Sequence, residues 1–208
     1  MKKYLAIVVL ALAPAWVSAA GPGVVLDEAN IDPTNVQSLQ RGARTFVNYC
    51  LSCHSASLMR YERMGKDLGI DEKLVSENLM FTGGKVGELM TVATASADSK
   101  EWFGTVPPDL TVIARARGVD WLYSYMRSFY RDDARHIGTN NLVFPDVGMP
   151  NVLWELQGIQ EAVITTEKGH DGTEHKVVNL KLVEPGLQTP KEFDRTVRDL
   201  VNFLDYMG

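Results

Sequence analysis

The sequence predicts a mostly helical domain with one small β-hairpin excursion. Residues 35–49 have the pattern of a helix with Arg41 and Arg44 on its outer face, and residues 191–207 place their apolar side chains on one face. Residues 154–188 depart from this pattern and alternate as strands do. The chain has 208 residues, 45% hydrophobic and 23% charged, which fits one globular domain.

The first twenty residues have the pattern of an export signal. Lys2 and Lys3 form a positive n-region, residues 5–13 are apolar, and residues 17–20 supply the small side chains that a signal peptidase needs. The apolar run is short for a bilayer and Pro14 interrupts it, which favours a cleaved signal over an uncleaved anchor. We therefore expect a signal peptide at 1–20 and an exported domain at 21–208.

The net charge of the chain is negative, which limits the classes of partner that it can bind. The chain has 21 Lys and Arg against 26 Asp and Glu, and removal of Lys2 and Lys3 leaves a net charge of −7. This balance argues against a nucleic-acid partner and favours a basic protein that is attracted by charge. After residue 20, no stretch of the sequence is long and apolar enough to cross a membrane.

The chain's only two cysteines lie in the run Cys50-Leu51-Ser52-Cys53-His54, directly after the helix at 35–49. A disulfide between them would close a very small loop and gain little. A thioredoxin-like redox pair would need a strand before it, and a zinc site would need further ligands.

A covalent haem uses all three special residues of the run. Two thiols three positions apart can each form a thioether with a haem vinyl group, and the histidine that follows can bind the iron. The sequence therefore predicts a c-type cytochrome fold around one haem c, attached through Cys50 and Cys53 and ligated by His54.

A six-coordinate haem iron needs a second axial ligand, and a methionine thioether would raise its reduction potential. The candidates after the attachment run are Met59, Met64, Met80, Met90, Met126, Met149, Met207, His136, His170 and His175. Most have the pattern of core filling or solvated turns. Met149 differs because it lies in an irregular loop, 144–151, with two prolines and with Gly148, which would let the backbone approach a flat cofactor. Met149 is the preferred ligand and His136 the next.

The remaining elements follow in chain order. Helices are predicted at 70–80, 85–94, 109–117 and 120–130, the last two separated by Gly118. Two strands, 162–166 and 176–182, would form a hairpin around a polar turn at 169–172. The helix at 191–207 closes the domain.

Seven landmarks follow one another along the exported chain: Arg41-Gly42-Ala43, Cys50 to His54, Pro107-Pro108-Asp109-Leu110, Ala114-Arg115, Asp120 to Ser124, Phe144 to Pro150 and Leu200 to Leu204. In this order and spacing, the sequence resembles the cytochrome c1 family, the haem-bearing subunits of quinol–cytochrome c reductase. The resemblance covers nearly the whole exported chain, and the run 148–153 is similar to the proteobacterial version.

The resemblance implies roles for particular residues. Cys50 and Cys53 would hold the haem, with His54 and Met149 as iron ligands. The backbone carbonyl of Pro107 or Pro108 would accept the His54 ring proton. Arg115 would pair with a haem propionate, the alternative being an ordinary solvated charge on a helix.

The resemblance also implies electron transfer in a respiratory complex. The haem would receive an electron from the Rieske iron–sulfur protein, beside a cytochrome b subunit, and pass it to a soluble cytochrome c at the periplasmic side of the inner membrane. No independent catalytic site is expected. The alternatives are a free soluble periplasmic shuttle and a haem peroxidase, which would need an open iron position or a second haem.

The family ends in a transmembrane helix after the last amphipathic helix. By resemblance we expect such a C-terminal anchor, which the sequence to Gly208 does not include. The expected membrane location rests on the resemblance alone.

Overall fold

A computed structural model describes residues 24–81, 84–92, 94–168 and 174–208. Within these ranges the chain forms eight helices and three separate two-stranded antiparallel ladders. The elements are α1 (Val36–Tyr49), β1 (Ala56–Arg60), α2 (Tyr61–Asp67), α3 (Glu72–Asn78), β2 (Leu89–Met90), α4 (Ser96–Phe103), α5 (Ile113–Arg117), α6 (Val119–Arg127), β3 (Phe129–Arg131), β4 (Thr139–Asn141), α7 (Trp154–Gln157), β5 (Gly158–Lys168), β6 (Glu174–Pro185) and α8 (Pro190–Met207). The predicted signal peptide lies outside these residues.

The helices α1 and α8 are the scaffold of the domain. Both begin at a residue that caps the helix N-terminus: Asn35 accepts a hydrogen bond from the backbone of Ser38, and Thr189 forms a reciprocal capping box with Glu192. The predicted helices at 35–49 and 191–207 are therefore confirmed almost to the residue. Capping chemistry and apolar period agree in both, which is why the sequence predicts them well.

The two helices cross closely at a glycine. A Cβ atom placed on Gly42 would lie 2.1 Å from the carbonyl oxygen of Asp199, so only glycine allows this separation. Beside the crossing, the buried Asp199 carboxylate accepts hydrogen bonds from Ser38 at 2.6 Å and from Arg41 at 2.5 Å. The rings of Phe46 and Phe203 lie 5.6 Å apart on the same interface. This packing fixes the end of α1, from which the cysteine run continues.

The predicted pair of strands is also confirmed, and the predicted polar turn at 169–172 lies outside the described residues. Strands β5 and β6 pair antiparallel from Gly158 with Pro185 to Lys168 with Glu174. The hairpin is joined to the helical part through Gln160, whose amide donates to the carbonyl oxygens of Arg127 and Phe129 at 2.9 Å each. The hairpin is longer than predicted, and it is not the only β structure.

The helix predicted at 85–94 is wrong. Residues 85–88 form turns, and Leu89–Met90 pair with β1, with Met90 opposite Ala56. Met90 is completely buried whereas Leu89 is exposed, which is the alternation expected for neighbouring residues of a strand. The partner strand lies some thirty residues earlier in the sequence, so the local sequence pattern does not predict this pairing.

Three other predicted helices are shorter than expected. The helix at 70–80 spans only Glu72–Asn78. The helix at 109–117 begins at Ile113, because Asp109 accepts hydrogen bonds from Thr111 and forms a turn instead. The helix at 120–130 ends at Arg127, and Phe129–Arg131 form a ladder with Thr139–Asn141. The prediction of a mostly helical domain is confirmed, with two small ladders added. Among the residues that the structure describes, no helix has the length and apolar character needed to cross a bilayer.

Candidate functional site

The cysteine run forms a tight turn at the end of α1. The backbone amides of Cys50 and Leu51 both donate to the carbonyl oxygen of Phe46, and those of Cys53 and His54 both donate to the carbonyl oxygen of Cys50. Both cysteines are free thiols, so the disulfide considered from the sequence is absent. Cys50 is buried and Cys53 is half-buried, and burial raises the pKa of the Cys50 thiol to about 12.

His54 is buried and held by a backbone carbonyl. Its Nδ1 lies 2.8 Å from the carbonyl oxygen of Pro108, so Nδ1 carries the proton and donates, leaving the Nε2 lone pair available as a ligand. Of the two prolines that the sequence leaves open, Pro108 is the one in contact. Burial lowers the pKa of His54, which favours the neutral, ligating imidazole.

The segment that carries Pro108 is fastened to the residues after the cysteine run. The amide of Leu110 donates to the carbonyl oxygen of Ser55 at 2.8 Å, and the amide of Ser57 donates to the Asp109 carboxylate at 2.8 Å. The carbonyl that accepts from His54 is thus anchored on its C-terminal side.

A cavity of about 330 Å³ brings the predicted ligands together. Cys50, Cys53 and His54 line it, and so do Gly148, Met149 and Pro150 from the distant loop. Most of the other lining side chains are apolar, among them Ile113, Trp121, Leu122, Val147, Leu200 and Leu204. Two thiols, one neutral imidazole and one thioether in an apolar cavity are the donor set that a haem c requires, so the residues present fit this cofactor.

The Met149 loop is held by a buried asparagine. Asn141 is completely buried; its Nδ2 donates to the carbonyl oxygen of Tyr125 at 2.8 Å, and its Oδ1 accepts from the amides of Val143 and Phe144 at 2.9 and 3.1 Å. Asp146, at a φ of +61°, is held by Arg135 through its carboxylate and its carbonyl, each at 2.9 Å. The loop is therefore irregular but extensively hydrogen-bonded.

The Met149 side chain has a polar neighbour on α6. The hydroxyl of Tyr125 lies 3.3 Å from Met149 Sδ and donates to it. Gly148 lines the cavity and also lies close to another part of the chain. A Cβ atom at this position would lie 3.0 Å from the Phe103 carbonyl oxygen and 3.0 Å from Thr105 Cγ2, at and just after the end of α4.

The other candidate axial ligands differ in whether they line the cavity. Met126 also lines the cavity, from within α6, and is the second thioether there. His136 is exposed and is not among the lining residues. The remaining methionines after the cysteine run pack in or against the hydrophobic core: Met59, Met64, Met80, Met90 and Met207. His170 and the side chain of His175 lie outside the described residues.

Arg115 and Arg117 occupy different surroundings. Both are exposed, but Arg115 lies beside Gly208 and is not among the lining residues. Arg117 is the charged residue among those that line the cavity in the described part of the chain. Its guanidinium lies 5.0 Å from the Trp121 ring centre and 5.6 Å from that of Phe144. The sequence interpretation did not single out Arg117, which ends the short helix α5 directly before Gly118.

Comparisons with known proteins cover the whole chain. No family model matches it. It is 51% identical over 209 aligned residues to a protein of Allochromatium vinosum named cytochrome c1, covering 100% of this chain and 85% of that protein. It is 47% identical over 208 residues to a protein of Nitrosomonas europaea named ammonia monooxygenase gamma subunit, covering 100% of this chain and 83% of that protein.

Proposed function

The chain belongs to the cytochrome c1 family, and from this membership we propose that it transfers electrons through one covalently attached haem c within a quinol–cytochrome c reductase. The observation that carries the proposal is the single cavity lined by Cys50, Cys53, His54 and Met149. These residues come from two distant parts of the sequence and would provide the two attachment thiols and the two iron ligands of a haem c.

The proposal gives each residue a chemical role. Cys50 and Cys53 would attach the cofactor through thioethers, and His54 Nε2 and Met149 Sδ would bind its iron. The Pro108 carbonyl accepts the Nδ1 proton of His54 and so fixes the ring's tautomer and orientation. When bound, the haem supplies a one-electron couple. The apolar lining limits water in the cavity, and the hydrogen-bonded loop holds Met149 in place.

Arginine side chains would balance the haem propionates. Arg115 remains the residue that the family resemblance proposes for this role. Arg117, which lines the cavity, is a second and structurally better supported candidate. Both belong to α5, so a substitution at each position can separate them.

The proposal also includes the partners of the protein and its location in the cell. The Rieske iron–sulfur protein would donate the electron, cytochrome b would be a neighbouring subunit, and a soluble cytochrome c would accept it. The domain would lie on the periplasmic side of the inner membrane after cleavage of a signal at 1–20. The comparisons give no support to the free soluble shuttle considered from the sequence.

The ligand assignment is tested by two methionine variants of the haem-loaded protein. Met149→Leu should lose the low-spin six-coordinate spectrum, bind carbon monoxide in the reduced state and lower the reduction potential. The matched control, Met126→Leu, replaces the other thioether of the cavity and should keep the low-spin spectrum. The opposite result in the two variants would make Met126 the ligand.

The physiological role is tested in membranes from cells that express the whole gene. Quinol-dependent reduction of a soluble cytochrome c should be lost in Met149→Leu and kept in Met126→Leu. Full activity of Met149→Leu, with an altered haem spectrum, would argue against this haem as the route of the electron.

A further inference from the structure

We propose that Tyr125 is a positioning residue for the Met149 thioether and that its hydrogen bond raises the reduction potential of the site. The proposal rests on the proposed function, because it takes Met149 as an iron ligand. Its basis is the donation from the Tyr125 hydroxyl to Met149 Sδ at 3.3 Å, inside the cavity that both residues line.

The Tyr125 ring is fixed on two sides. It stacks on Trp121, with ring centres 4.9 Å apart and planes 10° apart, and meets Phe129 edge to face at 5.1 Å. The side chain as a whole is buried, with 7% of its surface exposed. A buried hydroxyl that loses its partner is costly, so the contact with the sulfur is a stable feature of the site.

The same residue is connected to the Met149 loop through its backbone. The Tyr125 carbonyl oxygen accepts from Asn141, and Asn141 in turn accepts from the amides of Val143 and Phe144. The hydroxyl and the carbonyl of one residue therefore contact the thioether and the support of its loop.

The effect on the reduction potential follows because the Tyr125 hydroxyl is the donor and the Met149 sulfur is the acceptor. A proton donor on the sulfur withdraws electron density from it and weakens its donation to a metal. The ferric iron depends on that donation more than the ferrous iron, so the hydrogen bond favours the reduced form. A neutral hydrogen bond corresponds to a factor of roughly two to ten in an equilibrium constant.

The first test is a potentiometric titration of the haem-loaded Tyr125→Phe protein. The low-spin spectrum should persist while the ferric-to-ferrous ratio at fixed potential rises about three- to tenfold, which is about 30 to 60 mV for a one-electron couple. The control, Tyr123→Phe, removes a hydroxyl from the same helix at a residue that does not line the cavity, and it should leave the potential unchanged. An unchanged or raised potential in Tyr125→Phe overturns the proposal.

A second variant separates the hydrogen bond from packing. Incorporation of 3,5-difluorotyrosine at position 125 makes the phenol a stronger donor and should raise the potential, at a pH where that phenol stays protonated. A loss of packing would not predict opposite shifts for the two substitutions. If Met149→Leu keeps its six-coordinate haem and potential, the ligand assignment fails. If Met149→Leu behaves as expected but the two tyrosine changes leave the potential unaltered, only the role of Tyr125 fails.

Discussion

Arg115 and Arg117 lie two positions apart on a helix of five residues. Because successive residues turn by about 100° around a helix, these side chains leave α5 on nearly opposite sides. Arg117 lies against Trp121 and Phe144 and lines the cavity, whereas Arg115 lies beside Gly208. A cation at the cavity would offset the charge of a propionate and favour the reduced haem.

Substitution of the two arginines should separate their roles. In the haem-loaded protein, Arg117→Gln should lower the reduction potential. The shift should correspond to a free energy on the order of 1 kcal/mol, as expected for removal of a nearby, partly screened charge. Arg115→Gln should leave the potential nearly unchanged. Potentiometric titration of both variants measures the difference. A larger shift in Arg115→Gln would restore the assignment made from the family resemblance.

At this scale the sequence predicts chemistry better than geometry. The types of Cys50, Cys53, His54 and Met149 are restricted by what a haem iron and its vinyl groups can bind, so their pattern is specific. Arg117 and Tyr125 belong to types that occur on any helix. Their importance depends on which side of α5 or α6 meets the cavity, and such short helices give no clear phase in the sequence.

At the scale of elements, the α1–α8 crossing decides the stability of the fold around the site. Gly42→Ala would bring a Cβ atom to within 2.1 Å of the Asp199 carbonyl oxygen and 2.6 Å of Phe203 Cβ, and the helices would have to separate. We expect a loss of about 3 kcal/mol in the free energy of unfolding. The exposed Arg44 on the same helix is a matched position, where Arg44→Ala should cost about 0.5 kcal/mol or less. Denaturant unfolding of the haem-loaded variants, followed by circular dichroism, compares them; equal stabilities would contradict the close crossing.

The N-terminus of α8 should make stability depend on pH. Glu192 Oε2 accepts from the amide of Thr189 at 2.9 Å and from its hydroxyl at 2.8 Å, and these bonds hold the pKa of Glu192 below its ordinary value. A carboxylate with a lowered folded pKa stabilises the protein above its unfolded pKa, and this stabilisation is lost as the pH falls through the folded value. Glu192→Gln should therefore lower Tm at pH 7, and the difference from the wild type should close below about pH 4.

Thr189→Ser is the control for this prediction, since it keeps the capping hydroxyl and should follow the wild type at both pH values. A difference between Glu192→Gln and the wild type that is the same at pH 7 and in acid would show that the carboxylate charge does not stabilise the cap.

The elements that the sequence predicts poorly are those that depend on distant partners. Residues 85–92 contain good helix formers, yet Leu89–Met90 pair with β1 because Met90 fills a completely buried position there. A strand of two residues has no detectable period. By contrast, α8 combines a capping box, Pro190 in its first turn and a sustained apolar face, so every local signal agrees.

At the scale of the whole molecule, the cavity is assembled from segments far apart in the sequence. The cysteine run follows α1, Pro108 precedes α5, Met149 follows β4, and Leu200 and Leu204 extend from α8. The sequence predicted the residues with special chemistry in this set. It did not predict the apolar walls, since Leu200 and Leu204 have the same pattern as any core residue of an amphipathic helix.

The charge of the molecule should control how fast it meets a soluble electron acceptor. The chain carries a net charge of −5, and removal of Lys2 and Lys3 with a signal peptide would make it −7. Attraction to a basic cytochrome c then raises the association rate at low salt, and salt screens it as the Debye length falls from about 30 Å at 0.01 M to about 8 Å at 0.15 M. Stopped-flow oxidation of the reduced domain should slow about tenfold over this range with a basic acceptor. A small neutral oxidant, used as the control, should show no such dependence. A rate with the basic cytochrome that does not change with salt would mean that the acidic surface does not guide docking.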